Sequence, residues 1–245
     1  MSFSNCLLNN QNFLNGRSFG LTVLFTVIKG DKMFSVIFDM DGTLLDTQKI
    51  FIPAWEYAGL NQGIKGVGND IQNVCGMNKA GWTEYLNRHY PTMDTDKFNS
   101  EMRQYVTDNL VVKFMAGAEA LLKYLKQKGI KIALASGSSM ESVKHHLKEV
   151  SATEYFDAIV SGEEVENGKP APDIFLLTAK RLGVTPKDCF VFEDSANGIR
   201  SAYGAGMKCI GIPDIVDFPD EVNKLLFAKL KRLDEAIAVF DEIIK

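Results

Sequence analysis

Two aspartates stand two residues apart in the segment Asp39-Met40-Asp41-Gly42-Thr43. Paired carboxylates at this spacing allow split roles. Asp39 can attack a phosphorus atom and form an aspartyl-phosphate. Asp41 can protonate the leaving oxygen and later activate water. An ordinary turn draws on the same residue types. A calcium loop is excluded, because it needs glycine at its sixth position and a bidentate glutamate at its twelfth; here Gly42 would be fourth. Other candidate residues are Ser136, Lys169 before Pro170, and the pair Glu193-Asp194, all remote in the chain. Taken singly, each has a plain role: Ser136 as a helix N-cap, Lys169 as a solvated loop lysine, Glu193 and Asp194 as strand-end acids.

Placement decides between these roles. Short apolar runs at 34–38, 130–135, 157–160, 189–192 and 207–212 suit buried strands of a parallel sheet. Helical patterns at 118–128, 139–149, 173–182 and 196–203 alternate with them, and three are followed by Gly129, Gly183 and Gly204. Such alternation predicts an α/β fold, a doubly wound parallel sheet built from βαβ units. In such a sheet ligands bind beyond the carboxyl ends of the strands. Asp39 and Asp41, Ser136, and Glu193 with Asp194 all follow strand runs, so they are expected to converge on one crevice.

Residues 47–113 break the alternation. They carry helix-like segments at 51–58, 69–74, 79–88 and 97–110 and read as a helical insertion after the first strand. The chain returns near 114–117, where Gly117 is a candidate hinge. Residues 1–32 differ from the rest: 1–17 is rich in Asn, Ser and Phe, and 19–28 is apolar but too short to span a bilayer. They read as a loosely held extension. The expected organisation is therefore an extension at 1–32, a core at 33–46 and 114–245, and a helical insertion at 47–113.

The chain has 245 residues, with 46% hydrophobic and 24% charged, a globular composition that excludes collagen, coiled coil and bulk disorder. Its net charge of −4 argues against non-specific binding to nucleic acid or acidic membranes. The four cysteines, Cys6, Cys75, Cys189 and Cys209, show no C-x-x-C spacing. A disulfide framework is not expected, and a reducing cytoplasm fits. His145 and His146 are adjacent, a poor metal geometry, and read as surface residues.

The segment 38–47, Phe-Asp-Met-Asp-Gly-Thr-Leu-Leu-Asp-Thr, resembles motif one of the haloacid dehalogenase superfamily, phosphatase branch. Ser136 in Leu-Ala-Ser-Gly-Ser, Lys169 in Gly-Lys-Pro-Ala-Pro-Asp, and Glu193-Asp194-Ser195 in Phe-Glu-Asp-Ser-Ala-Asn-Gly-Ile resemble motifs two, three and four, in the family's order. The likeness covers roughly 33–212, apart from most of the insertion. It implies a Rossmann-like core with an inserted α-helical cap. It also implies a Mg²⁺-dependent phosphomonoester hydrolase acting on a small phosphorylated metabolite, such as a sugar phosphate, and working as a monomer or weak homodimer.

By the resemblance, Asp39 is the nucleophile and Asp41 the acid and base. Gly42, Thr43, Ser136, Gly137, Lys169 and Asn197 surround phosphate or substrate. Asp39, Asp194 and the Asp41 carbonyl hold the metal, Glu193 is an added ligand, and Ser195 and Asn197 orient the acids. Each role has its own physics. A hydroxyl and backbone N–H groups at a helix start hold phosphate oxygens, and Gly137 permits close approach. One lysine among several carboxylates tempers their repulsion and stabilises phosphoryl charge. An oxygen-rich carboxylate set is what Mg²⁺ prefers. The Asp39, Lys169 and Asp194 groups are accordingly expected within about 10 Å of one another.

A hexose-phosphate mutase of the β-phosphoglucomutase type is the first alternative. That reading needs a histidine where this chain has Phe51, and a lysine and an arginine near a glycine where it has Cys75, Gly76 and Lys79. Phe51 cannot shuttle protons, so hydrolysis is favoured. A non-catalytic phosphate-binding protein is the second alternative, disfavoured because Asp39 and Asp41 are both present. In the insertion, Lys65, Lys79 and Arg88 are candidate anion contacts. Trp55, Tyr57, Trp82 and Tyr85 read as packing residues rather than stacking platforms.

Overall fold

The computed structural model describes residues 34–74, 77 and 79–244, with only the backbone of Lys79 and Ala80. The expected extension at 1–32, Cys6, Cys75, Gly76 and the Lys79 side chain lie outside the described residues.

The chain enters on β1 (Ser35–Phe38) and runs into four helices, α1 (Phe51–Leu60), α2 (Ile71–Val74), α3 (Lys79–His89) and α4 (Thr95–Asn109). Regular alternation follows: α5 (Ala118–Gln127), β2 (Lys131–Ser136), α6 (Met140–Glu149), β3 (Ala158–Ser161), α7 (Asp173–Leu182), β4 (Cys189–Glu193), α8 (Ala196–Gly204) and β5 (Lys208–Gly211). The described chain ends with α9 (Asp220–Asn223), β6 (Leu226–Lys229) and α10 (Ala236–Ile244). The sheet is wholly parallel, in the order β3-β2-β1-β4-β5-β6. This is a Rossmann-like arrangement, and its strand order reverses beside β1, where a crevice opens.

Period-two burial explains why the strands read as unbroken apolar runs. Val36, Phe38, Ile132, Leu134, Phe190 and Phe192 face one layer, with α5, α6 and α10. Ile37, Ala133, Ala135, Val191 and Cys209 face the other, with α7 and α8. Both faces are covered, so no polar alternation is needed. Phe38 and Phe192, paired in register across β1 and β4, stack with ring centroids 4.9 Å apart. Phe38, the last residue of β1, therefore sits beside Phe192, and Asp39 just beyond it comes beside Glu193, the last residue of β4.

Helices α1–α4 build their own apolar cluster around Trp55, Leu86, Phe98 and Met102, with Ile215 from the loop after β5 packed against it. The neck joining them to the sheet is two-stranded. Leu45 bridges Phe114 antiparallel, Asp46 N–H donates to the Lys113 carbonyl at 2.9 Å, and Met115 N–H donates to that of Leu44 at 2.9 Å.

Gly117, expected as a hinge, has φ +82, and a Cβ there would lie 2.3 Å from Asp234 Oδ1, so it permits a tight turn and close packing. Two details depart from expectation. Ser136 does not cap α6; Ser139 does, accepting from Ser142 N–H at 3.3 Å. β6 and α10 have no counterpart among the expected elements, since β6 is a four-residue, half-buried edge strand too short to show a period. Cys189 and Cys209 are buried free thiols. Among the described residues no helix is long and apolar enough to cross a membrane.

Candidate active site

Asp39 follows β1, and its N–H donates to the Phe192 carbonyl at 3.0 Å, continuing the ladder toward β4. The turn after it is anchored from within. Met40, Leu44 and Leu45 are wholly buried, and Leu44 N–H and Leu45 N–H both donate to the Met40 carbonyl. Apolar residues thus pin the turn from inside while Asp39 and Asp41 bound its polar side. Gly42 has φ +83, and a Cβ there would lie 2.5 Å from Asp194 Oδ2, so conformation and space both demand glycine.

Lys169 sits between two buried acids. Its Nζ donates to Asp39 Oδ1 at 2.5 Å and to Glu193 Oε1 at 2.6 Å, and lies 3.4 Å from the Ala135 carbonyl. The Phe175 ring of α7 lies 5.0 Å from the ammonium, a cation–π contact. Burial works against the ammonium charge, but the Asp39 and Glu193 carboxylates outweigh it and hold Lys169 above its ordinary range. Glu193 spends its other oxygen on Ser195, accepting from the N–H and from Oγ, both at 2.9 Å. Gly198 on α8 leaves the room this requires: a Cβ there would lie 1.7 Å from Glu193 Oε1.

Asp194 accepts from Thr43 Oγ1 at 2.9 Å and from Gln48 Nε2 at 3.2 Å. Asp41 is held by hydroxyls: Thr47 donates to Oδ1 at 2.6 Å, Ser138 to Oδ2 at 2.7 Å, and Ser136 to Oδ2 at 3.4 Å. Ser136 Oγ also accepts from Ser138 N–H at 3.1 Å. Gly137 is exposed, with open space where a side chain would be. Asn197 lies in the first turn of α8.

Asp39, Glu193 and Asp194 each present an oxygen, all within 4.8 Å of one another. Burial, then the nearby Glu193 and Asp41 charges, push Asp39 up to about 7 against the pull of Lys169. Burial, then Glu193 and Asp39, also raise Asp194. Four carboxylates around one ammonium leave anionic charge uncompensated in a low-dielectric crevice. A hard divalent cation is the natural counter-charge for such an oxygen set. The residues present therefore fit a metal such as Mg²⁺.

The crevice opens into a cavity of about 780 Å³ lined by Asp41, Thr47 and Ser138 on the polar side and by Phe51, Trp55 and Trp82 from the insertion. Trp55 and Trp82 do pack, edge to face with centroids 5.8 Å apart, and they line the cavity as well. Tyr57 is exposed beside Tyr105, and Tyr85 stacks on His89. Lys65 is exposed, and Arg88 pairs with Glu84 at the surface. The two histidines lie at the surface as expected, His145 exposed and His146 half-buried, and both also line the cavity.

The structure thus gathers Asp39, Asp41, Ser136, Lys169, Glu193 and Asp194. It sets Thr43 one layer behind, fully buried against Asp194. Three residues escaped the sequence reading as contacts. Thr47 and Ser138 lay inside recognised motifs but carried no distinguishing signal. Gln48 left none, because it reaches Asp194 and the Asp41 carbonyl, at 2.6 Å, only through the path the chain takes into α1.

A Rossmann-like sheet with carboxylates at its switch point and a helical insertion over them defines a class of hydrolases. The chain belongs to the haloacid dehalogenase-like hydrolases, whose family model matches residues 36–212. It is 36% identical over 194 residues to the Drosophila melanogaster protein named "Probable pseudouridine-5'-phosphatase", covering 75% of this chain and 83% of that one. It is 31% identical over 192 residues to the β-phosphoglucomutase of Bacillus subtilis, covering 74% and 83%. A HAD family hydrolase from Deinococcus radiodurans, solved with bound phosphate and sodium, superposes with a TM-score of 0.75 at 25% identity, over 87% of this chain and 97% of that one.

Proposed function

We propose that the chain is a Mg²⁺-dependent phosphomonoester hydrolase for a small phosphorylated metabolite, working through an aspartyl-phosphate on Asp39. The observation that carries this is Lys169, clamped between Asp39 and Glu193 while hydroxyl-held Asp41 stands two residues from the nucleophile. An Asp39 carboxylate oxygen attacks phosphorus, and the bond from phosphorus to the leaving oxygen breaks. Asp41 gives its proton to that oxygen. Asp41 then takes a proton from water, which attacks the aspartyl-phosphate and frees Asp39 and inorganic phosphate. Lys169, Ser136 and the open backbone at Gly137 hold phosphoryl oxygens.

Asp39, Asp194 and the Asp41 carbonyl would hold Mg²⁺, which when bound offsets the charge between nucleophile and phosphate. Glu193, with its oxygens engaged by Lys169 and Ser195, would act on the ion through water. Gln48 donates to the Asp41 carbonyl and to Asp194, on two of the residues that would hold the ion, so its amide would compete with a cation there. Residues 47–113 act as a cap that excludes water and contacts the leaving group. The free, buried thiols of Cys189 and Cys209 suit a reducing, cytoplasmic setting.

Hydrolysis is favoured over the mutase alternative by Phe51, which lines the cavity and offers no proton. Among the described side chains lining that cavity there is also no lysine or arginine to seat a second phosphate. A panel of phosphorylated metabolites, assayed for phosphate release with and without chelator and glucose bisphosphate, tests the proposal. Release should require Mg²⁺ and no bisphosphate. Isomerisation without phosphate release would establish the mutase instead.

A further inference from the structure

We infer that the cavity beside Asp41 selects a phosphomonoester whose leaving group carries a flat, uncharged, unsaturated ring, in preference to a bare polyol phosphate. This rests on the hydrolase reading and narrows its substrate. At about 780 Å³ the cavity is sized for a small organic molecule rather than for phosphate alone. It is continuous with the catalytic crevice, because Asp41, Thr47 and Ser138 form part of its wall. Most of the remaining wall is apolar, built from Phe51, Trp55, Trp82, Met102, Val106 and Ile215.

The apolar part of this wall offers no partner to the hydroxyls of a sugar chain, and burying them against it would forfeit their bonds to water. A ring offers apolar faces to tryptophan and phenylalanine, and methionine sulfur packs well at a ring edge. The polar residues of α6 that line the same space, Ser142, His145 and His146, can meet heteroatoms of such a ring. A second anionic group is disfavoured. Among the described residues the lining holds the carboxylates of Asp41 and Glu149 and no cation of lysine or arginine. Arg103 lines instead a smaller adjoining cavity of about 500 Å³.

Uridine and adenosine 5'-monophosphate, compared with ribose 5-phosphate, make a matched test, because the phosphorylated alcohol is the same and only the ring differs. With the full chain and saturating Mg²⁺, kcat/KM for at least one nucleotide should exceed that for ribose 5-phosphate by about tenfold or more. Trp82→Ala should erase most of that advantage, raising KM for the nucleotide severalfold more than KM for ribose 5-phosphate. Should Trp82→Ala unfold the insertion, binding to Asp39→Asn gives a second readout. Trp55 and Trp82 are the only two tryptophans in the chain, and the nucleotide should change their fluorescence at lower concentration than ribose 5-phosphate. Ribose 5-phosphate turned over as well as or better than both nucleotides would overturn the inference and leave the hydrolase reading intact. Failure to release phosphate from any of the three and from every other phosphomonoester tried would overturn the hydrolase reading, and the inference would fall with it.

Discussion

Asp39 and Asp41 share one turn and meet different surroundings. Asp39 is buried among acids and raised to about 7, with Lys169 as its one cationic partner. Asp41 is half-buried and accepts from the hydroxyls of Thr47, Ser138 and Ser136. The first environment suits a nucleophile that becomes fully available once a metal offsets its neighbours. The second fixes the carboxyl group in one orientation, as the proposed acid and base role of Asp41 requires. Gln48 supplies a residue-scale test. Its amide donates to the Asp41 carbonyl and to Asp194 Oδ2, in competition with a cation. Gln48→Ala should therefore lower the Mg²⁺ concentration for half-maximal activity severalfold, as a metal titration at fixed substrate would show. An unchanged or higher requirement would mean the amide does not compete. The carboxylates and Ser136 were legible because they follow apolar strand runs, and Lys169 because it falls with them in the family's motif order. Gln48 was not, because nothing local fixes where a residue entering an insertion will point.

The β1 and β4 strands carry the site. Their in-register pairing sets Phe38 beside Phe192, and hence Asp39 beside Glu193. This much follows from apolar runs ending in acids. The neck is different. Its antiparallel bridge between Leu45 and Phe114 joins segments separated by the whole insertion, and no local period marks it. Gly117 closes that neck against Asp234 in a left-handed turn. Gly117→Ala should destabilise the protein by more than about 1 kcal/mol, because strain and overlap add. Chemical denaturation would measure it, and a loss below a few tenths of a kcal/mol would show that the neck relaxes freely. β6 and α10 stayed illegible for a related reason. The half-buried β6 takes its place by pairing with β5 and covering an edge, not through a pattern of its own.

Across the molecule, clustered acid charge couples stability to pH and to metal. Asp39 is raised from 3.8 to about 7 when folded, so between about pH 4 and 7 the native state keeps a proton that the unfolded chain has lost. Stability of the metal-free protein should therefore fall as pH rises through that window, and the raised Asp194 acts in the same direction. Lys169 is raised as well, and its contribution is lost only at strongly alkaline pH, outside the window. Mg²⁺ competes with these protons. The increase in Tm on adding Mg²⁺ should thus be larger at about pH 8 than at about pH 5. An increment independent of pH would place the ion elsewhere.

The fate of the phosphoryl group tests the whole account most directly. Asp41→Asn protein, mixed with substrate and Mg²⁺, quenched in acid and digested, should carry about one phosphoryl group per chain, on Asp39 alone. Asp39→Asn should carry none and release no phosphate. Phosphate released at an undiminished rate by Asp39→Asn, or a phosphoryl group recovered on any other residue, would contradict it.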